Sequence, residues 1–195
     1  MYNLYTVSPN EKLTDLQEFF NQLATKVLEA RTLNRVVYGI PASIGGFIAA
    51  GSNTDLTTIL SKIMAFSMIL FHPLEHGWFF STLTPRLFSF DGNKWSIWSV
   101  RCWVVYIICD LIGTVRTMQD VNLTLASQSG PKGEERSKLK KLQLSTRIWL
   151  TCIIADLILG IQYSVEKGPF SDHTLAWASF WGGLAGMYRK WINSQ

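Results

Sequence analysis

Two histidines and a glutamate stand close together in an apolar part of the sequence, in the order His72-Pro73-Leu74-Glu75-His76. On a helix, residues four apart lie on the same face, so the two imidazoles could share a zinc ion with Glu75 as its base. The spacing matches the inverted zinc-protease pattern H-x-x-E-H. However, Pro73 interrupts the motif, aromatic residues flank it, and no later glutamate offers a convincing third ligand. A polar notch or a helix-packing contact is the favoured interpretation.

Other patterns that carry catalysis are absent from the sequence. It contains no glycine-rich phosphate loop, no G-x-S-x-G, no C-x-x-C pair and no zinc-finger spacing of cysteine and histidine. The three cysteines, Cys102, Cys109 and Cys152, lie inside apolar runs, which argues against a disulfide framework. We therefore expect a protein that is not an enzyme, with no catalytic residues and no bound cofactor or metal.

A repeated pattern, R-x-W-x6-D-L-I, begins at Arg101 and again at Arg147. If two helices form an antiparallel hairpin about the loop between them, Arg101 lies level with Asp156, and Asp110 lies level with Arg147. The sequence thus predicts two structural ion pairs, Arg101 with Asp156 and Asp110 with Arg147, which would account for charges in apolar helices. Coincidence among apolar helices is the alternative explanation of the repeat.

The composition indicates a protein that meets lipid. Of 195 residues, 48% are hydrophobic and only 16% are charged, and the mean hydropathy is +0.15; soluble domains have roughly 25% charged residues. The net charge is +4, and its excess lies mainly between Lys132 and Arg147. One basic segment beside apolar ones is typical of a surface that faces anionic lipid, although a solvated loop is the commoner role of such a run. We expect a phospholipid bilayer as a partner and no nucleic acid.

Helical periodicity accounts for most of the chain, and no alternating strand pattern competes with it. The predicted fold class is all-α: a membrane-associated helical bundle in a single domain over residues 1–195. An amphipathic helix is expected at 9–38, apolar helices at 55–83, 94–126, 134–165 and 174–191, and a loop at 127–133. Gly39-Ile40-Pro41 should end or kink the first helix. Spanning takes about 20 apolar residues, and charges interrupt the long helices, so we expect them to insert as a packed group or to lie partly at the interface.

The first helix carries an apolar stripe opposite a polar face. Such a helix either packs on a core or inserts into the interface of a bilayer, and both interpretations stay open. The predicted membrane-binding residues are Leu13, Leu16, Phe20, Leu23, Val27, Arg31 and Arg35.

Taken in order, these segments resemble the peroxisomal biogenesis factor 11 family of peroxisomal membrane proteins. The resemblance covers most of the chain from about residue 13 and depends on order and spacing. It is carried by Ala30-Arg31-Thr32-Leu33-Asn34-Arg35-Val36, by Pro73-Leu74-Glu75-His76 with Trp78, by Asn93-Lys94-Trp95-Ser96 leading to Arg101-Cys102-Trp103, by the charged loop before Ala155-Asp156-Leu157, and by the glycine-rich helix Phe180–Tyr188.

The resemblance implies a protein of the peroxisomal membrane that elongates and tubulates this membrane before division. It also implies self-association or assembly with paralogues, cooperation with the dynamin-type organelle fission machinery, and termini in the cytosol. The amphipathic helix would supply the mechanism, because an apolar face inserted into one leaflet expands that leaflet and favours curvature. A metabolite pore is the alternative, motivated by the charges inside apolar helices, and an intramembrane metalloenzyme at His72, Glu75 and His76 is a third hypothesis.

Overall fold

The protein is built from long helices joined by short connections. The computed structural model describes residues 15–83, 86–87, 90–127 and 132–194, except for the side chains of residues 15–17 and 36. Its helices are α1 (Asp15–Ala49), α2 (Leu56–Leu83), α3 (Gly92–Ala126), α4 (Glu134–Tyr163) and α5 (Asp172–Ser194). These residues contain no strand, and the prediction of an all-α fold with several long apolar helices is confirmed.

Short acidic residues fix where two of the apolar helices begin. At the start of α2, Asp55 accepts hydrogen bonds from the backbone N–H and the hydroxyl of Thr58, at 3.1 and 2.7 Å. At the start of α3, Asp91 accepts from the N–H groups of Asn93 and Lys94. These bonds satisfy N–H groups that have no partner within the helix. Because they stabilise the charged carboxylate, they also lower the pKa of Asp55.

Helix α1 is longer than the sequence suggested. It continues through Gly39 and Pro41 to Ala49, so the expected end at Gly39-Ile40-Pro41 is wrong; its expected start at residue 9 lies outside the described residues. A proline inside a helix removes a hydrogen bond and costs about 3 kcal/mol. Packing offsets that cost, because a methyl group at Gly39 would lie only 2.6 Å from the ring of His72 on α2. This close contact keeps the second half of α1 against α2.

Each helix packs against the next one in the sequence: α1 on α2, α2 on α3, α3 on α4, and α4 on α5. Successive helices run antiparallel, as short connections require. The neighbouring residues that establish these directions are Gly39 and His72, Gly46 and Ala65, Gly77 and Trp95, Gly92 and Ser81, Gly160 and Val104, Gly182 and Ala155, and Gly186 and Cys152.

Much of the apolar surface of the helices points outward. Among the described residues, α2, α3 and α4 are long and apolar enough to cross a membrane, yet only 22%, 28% and 33% of their most apolar segments are buried within the protein. Phe66, Leu70, Ile108 and Ile154 are examples of the exposed apolar side chains on these helices. A soluble monomer rarely exposes a continuous apolar surface of this extent. This exposed apolar surface fits the association of α2, α3 and α4 with a membrane.

Candidate functional site

The first half of α1 has an apolar face that no other part of the described chain covers. Phe20, Leu23 and Val27 are 56%, 47% and 51% exposed. The side chains from Glu18 to Arg31 are exposed all round the helix, apart from two that are half-buried. Three of the residues predicted to bind the membrane thus lie together on a free face. Leu13 lies outside the described residues, and Leu16 belongs to α1 at a position whose side chain is not described.

The opposite face of the same helical segment is polar. Lys26 and Glu29 form an ion pair at 2.9 Å, and the amide of Gln22 donates to Glu18 at 3.3 Å. Exposed pairs of this kind stabilise a helix only slightly. Their arrangement opposite a bare apolar face is typical of a helix that lies in a bilayer interface. Arg31, at the end of this segment, is also exposed, so that a lipid headgroup could reach its side chain.

Arg35 does not share this exposure, because it is turned toward α2. Its Nη1 lies 2.7 Å from Oε1 of Glu75, and its guanidinium lies over the ring of Phe71. Burial lowers the pKa of Arg35, while the carboxylate of Glu75 acts in the opposite direction. Arg35 is only half-buried, and its predicted role in membrane binding stays a prediction. In this structure Arg35 joins α1 to α2, a pairing that the sequence analysis missed because the two residues lie on different helices.

The two histidines of the H-x-x-E-H motif lie together with Glu75 on one face of α2. Helix α2 continues through Pro73 without a break, so the proline does not separate them. One ligand atom from each residue can be chosen such that all three lie within 4.8 Å of one another. Both histidines are buried, with 4% and 6% of their surface exposed, and their rings are stacked at 6.0 Å.

Neither of the two predicted ion pairs between α3 and α4 is formed, so that prediction is wrong. Arg101 donates from Nε to the carbonyl oxygen of Ser164 at 3.0 Å, which places it level with a residue two helical turns beyond Asp156. Arg147 is exposed, and no ion pair among the described residues includes it. The antiparallel hairpin is present, but close packing such as that of Gly160 against Val104 sets its register.

Asp110 has neutral hydrogen-bond partners instead of an arginine. Its carboxylate accepts hydrogen bonds from Nε1 of Trp149 at 3.1 Å and from the hydroxyl of Thr114 at 3.3 Å. The guanidinium of Arg189 on α5 interacts electrostatically with Asp110, although no hydrogen bond joins them. It lies 4.2 Å from the centre of the Trp149 ring and donates to the hydroxyl of Ser145. Trp149 thus connects α3, α4 and α5 through one side chain.

Helix α5 has a second exposed apolar face that the sequence analysis did not single out. Its glycine side packs on α4, with Gly182 against Ala155. Its other side exposes aromatic and large apolar residues at helical spacing, namely Trp177, Phe180, Trp181, Leu184, Tyr188 and Trp191. The recurrence of aromatic residues every three or four positions is the sequence pattern that could have predicted this face. Such side chains are enriched where a membrane meets water.

Comparison with known proteins places these features in a family. The family model described as peroxisomal biogenesis factor 11 (PEX11) matches residues 5–191, nearly the whole chain. No match was found among the curated proteins or among the solved structures. The match runs continuously from the amphipathic segment of α1 to the aromatic face of α5.

Proposed function

Because this chain belongs to the peroxisomal biogenesis factor 11 family, we propose that it shapes and elongates the peroxisomal membrane and so promotes peroxisome proliferation and fission. The family has a role in peroxisome biogenesis, and its members are not known as enzymes. Association with the peroxisomal membrane fits the three apolar helices α2, α3 and α4. The observation that most supports membrane shaping is the free apolar face of α1 at Phe20, Leu23 and Val27.

The proposed mechanism uses the two halves of α1 differently. The first half lies in one leaflet, with its apolar face toward the acyl chains and its polar face toward the headgroups. The second half packs on α2 through Gly39 and through the ion pair between Arg35 and Glu75. A helix inserted into one leaflet expands that leaflet and bends the bilayer toward it. Since α1 is attached to helices that can cross the membrane, the bending stays coupled to the anchored protein.

A vesicle experiment tests this proposal. We expect the purified protein to draw tubules from liposomes that contain anionic lipid, and the variant Phe20→Glu/Leu23→Glu/Val27→Glu to lose this activity. Burying one such side chain contributes about 1.5–3 kcal/mol, so three charges in their place should weaken insertion of the α1 face by at least about 100-fold. Electron microscopy of the vesicles measures tubule formation.

The matched control places the same three charges on the polar face of the same helical turns, as Asn21→Glu/Gln22→Glu/Thr25→Glu. Both variants have the same net charge, so a general electrostatic effect on lipid binding would reduce both equally. The proposal requires the control to retain tubulation. Equal tubulation by the wild type and the apolar-face variant would overturn it.

Association with other chains completes the proposal. The outward apolar surfaces of α2, α3 and α4 and the aromatic face of α5 could pack against a second copy or a paralogue. Such contacts would bring the first halves of many α1 helices together on one patch of membrane. A high local density of inserted helices is what the generation of curvature needs. A membrane narrowed in this way is the substrate on which the organelle fission machinery acts, and we propose that machinery as the downstream partner.

A metabolite pore is the second candidate function, favoured by Asp110 and Asp156 inside helices that can span the membrane. Carboxylates at such positions often line polar pathways. Asp110 is already hydrogen-bonded to Trp149 and Thr114, however, which indicates a packing role. Conductance measured across planar bilayers of the same lipid composition separates the two functions: a pore predicts discrete channel openings that Asp156→Asn alters, whereas membrane shaping predicts none.

A further inference from the structure

The His72/Glu75/His76 cluster contains three buried polar atoms without any hydrogen-bond partner. These atoms are Nδ1 of His72, Oε2 of Glu75 and Nε2 of His76. In folded proteins the large majority of buried polar side-chain atoms are paired, because an unpaired one costs about 1–3 kcal/mol. Three such atoms on one face of one helix would together cost several kcal/mol. A common partner would remove the cost of all three.

We propose that this cluster binds a divalent transition-metal ion of the zinc class. Two imidazole nitrogens and one carboxylate oxygen form one of the standard three-residue ligand sets for zinc, with a fourth position left for water or another small ligand. The unpaired atoms include a ring nitrogen of each histidine and a carboxylate oxygen of Glu75. Two of the three objections raised from the sequence are removed, because α2 continues through Pro73 and Glu75 itself would serve as the third ligand.

The geometry is close to what a metal needs. Bonds of about 2.0–2.1 Å in a tetrahedral complex place ligand atoms about 3.3 Å apart, and the three residues here offer ligand atoms within 4.8 Å of one another. Rotation of the side chains on one rigid helix can supply this contraction, since residues three and four apart share a face. The site lies under α1, where Gly39 contacts the His72 ring. A bound ion would therefore be shielded from solvent at the interface between α1 and α2.

Arg35 fits this site as the partner that orients the glutamate. Its Nη1 lies 2.7 Å from Oε1 of Glu75, while Oε2 has no hydrogen-bond partner and remains available to a metal ion. Residues that hold a metal ligand in this way typically change metal affinity by 10–100-fold when they are removed. The guanidinium is positively charged and disfavours a nearby dication, but the carboxylate lies between them and attracts both.

Metal titration of the full chain in detergent, purified without a polyhistidine tag, tests the proposal. We expect one equivalent of Zn²⁺ to bind, and Co²⁺ to give the visible absorption bands of a tetrahedral complex. The variant His72→Gln/His76→Gln should lower the affinity at least about 100-fold and abolish those bands. The chain has three histidines, and the third provides the control: His173 is exposed outside the cluster, so His173→Gln should bind as the wild type does.

A second readout guards against variants that fold poorly. Zn²⁺ should raise the thermal unfolding temperature of the wild type and of His173→Gln, whereas it should leave that of Glu75→Gln and His72→Gln/His76→Gln nearly unchanged. Circular dichroism checks that each variant keeps its helical content. The proposal is overturned if the folded wild type binds no stoichiometric metal, or if the cluster variants bind as well as the wild type does. Neither result would bear on membrane tubulation, which the α1 variants measure separately.

Discussion

Two charged residues in the apolar helices, Asp110 and Arg101, form hydrogen bonds with neutral groups. Asp110 receives a hydrogen bond from the indole of Trp149, and Arg101 donates to the backbone carbonyl of Ser164. Removing two opposite charges from water is costly, and their mutual attraction repays this only with excellent geometry. A hydrogen bond from an indole N–H or to a backbone carbonyl has a smaller desolvation cost, because only one charged group has to leave water. This difference explains how α3 can hold Asp110 without a hydrogen bond from an arginine.

At Asp110 we expect removal of the carboxylate to destabilise the hairpin of α3 and α4. Asp110→Ala leaves the half-buried N–H of Trp149 without its acceptor, which should cost about 1 kcal/mol, the low end of the range for an unpaired donor. Asp110→Asn keeps one acceptor oxygen in the same place and should cost less. Thermal unfolding in one detergent, followed by circular dichroism, compares the two variants.

The same position tests the register of the hairpin. Since Asp110 bonds to Trp149 and Arg147 is exposed, the charge swap Asp110→Arg/Arg147→Asp should be no more stable than Asp110→Arg alone. Recovery of wild-type stability in the double variant would show that the two side chains are in contact after all.

At the scale of the helices, α5 shows how one element can serve two surroundings. Its small residues allow the backbone to approach α4, so that the thiol of Cys152 lies 3.6 Å from the carbonyl oxygen of Gly182. Its large aromatic residues cover the opposite side and remain exposed. Small residues at helix contacts are the usual means of packing helices in membranes, where the hydrophobic effect between helices is weak. The side that packs on α4 and the exposed aromatic side are thus separated on one helix.

Two adjacent glycines of α5 should respond in opposite ways to the same substitution. A methyl group at Gly182 would lie 2.8 Å from Cβ of Ala155, whereas nothing lies within 4 Å of one at Gly183. Gly182→Ala should therefore push α5 away from α4 and lower the unfolding temperature. Gly183→Ala should raise it, because alanine favours a helix by about 0.5–1 kcal/mol over glycine. Equal effects of the two variants on thermal unfolding would contradict this packing of α5.

In the proposed function, the whole molecule combines a membrane anchor with an amphipathic wedge. Helices α2, α3 and α4 would form the anchor, because each is long and apolar enough to cross a bilayer. The first half of α1 would form the wedge, since its apolar face is exposed. The two parts would act on the membrane in different ways, and we therefore expect them to respond differently to mutation.

Alkaline carbonate extraction of membranes distinguishes these two parts. We expect the wild type to stay in the membrane pellet, because carbonate releases peripheral proteins but not embedded helices. The variant Phe20→Glu/Leu23→Glu/Val27→Glu should also stay in the pellet, although it loses tubulation. Release of the wild type into the supernatant would mean that α2, α3 and α4 do not span the bilayer.

Structural features that depend on residues close together in the sequence, such as helix bounds, were predicted well. Features that depend on contacts between separate helices were predicted poorly. The bounds of α2, α3 and α4 agree with the structure to within two residues, because capping acids such as Asp55 and Asp91 act locally. The end of α1 was misplaced, since only contact with α2 stabilises a helix across Pro41. At the candidate sites, the apolar stripe of α1 could be read directly. The ion pair of Arg35 with Glu75 and the bond of Asp110 to Trp149 could not, because they depend on how separate helices are placed.

The order in which the helices contact one another has a consequence for biosynthesis. Each helix packs on the one made just before it, so a newly completed segment meets its partner after closing only a short connection, at little entropic cost. Contacts between near neighbours in the chain also form quickly. Assembly can thus proceed stepwise from the amino terminus while the ribosome is still at work, and a chain cut short after any helix would leave the preceding pairs complete.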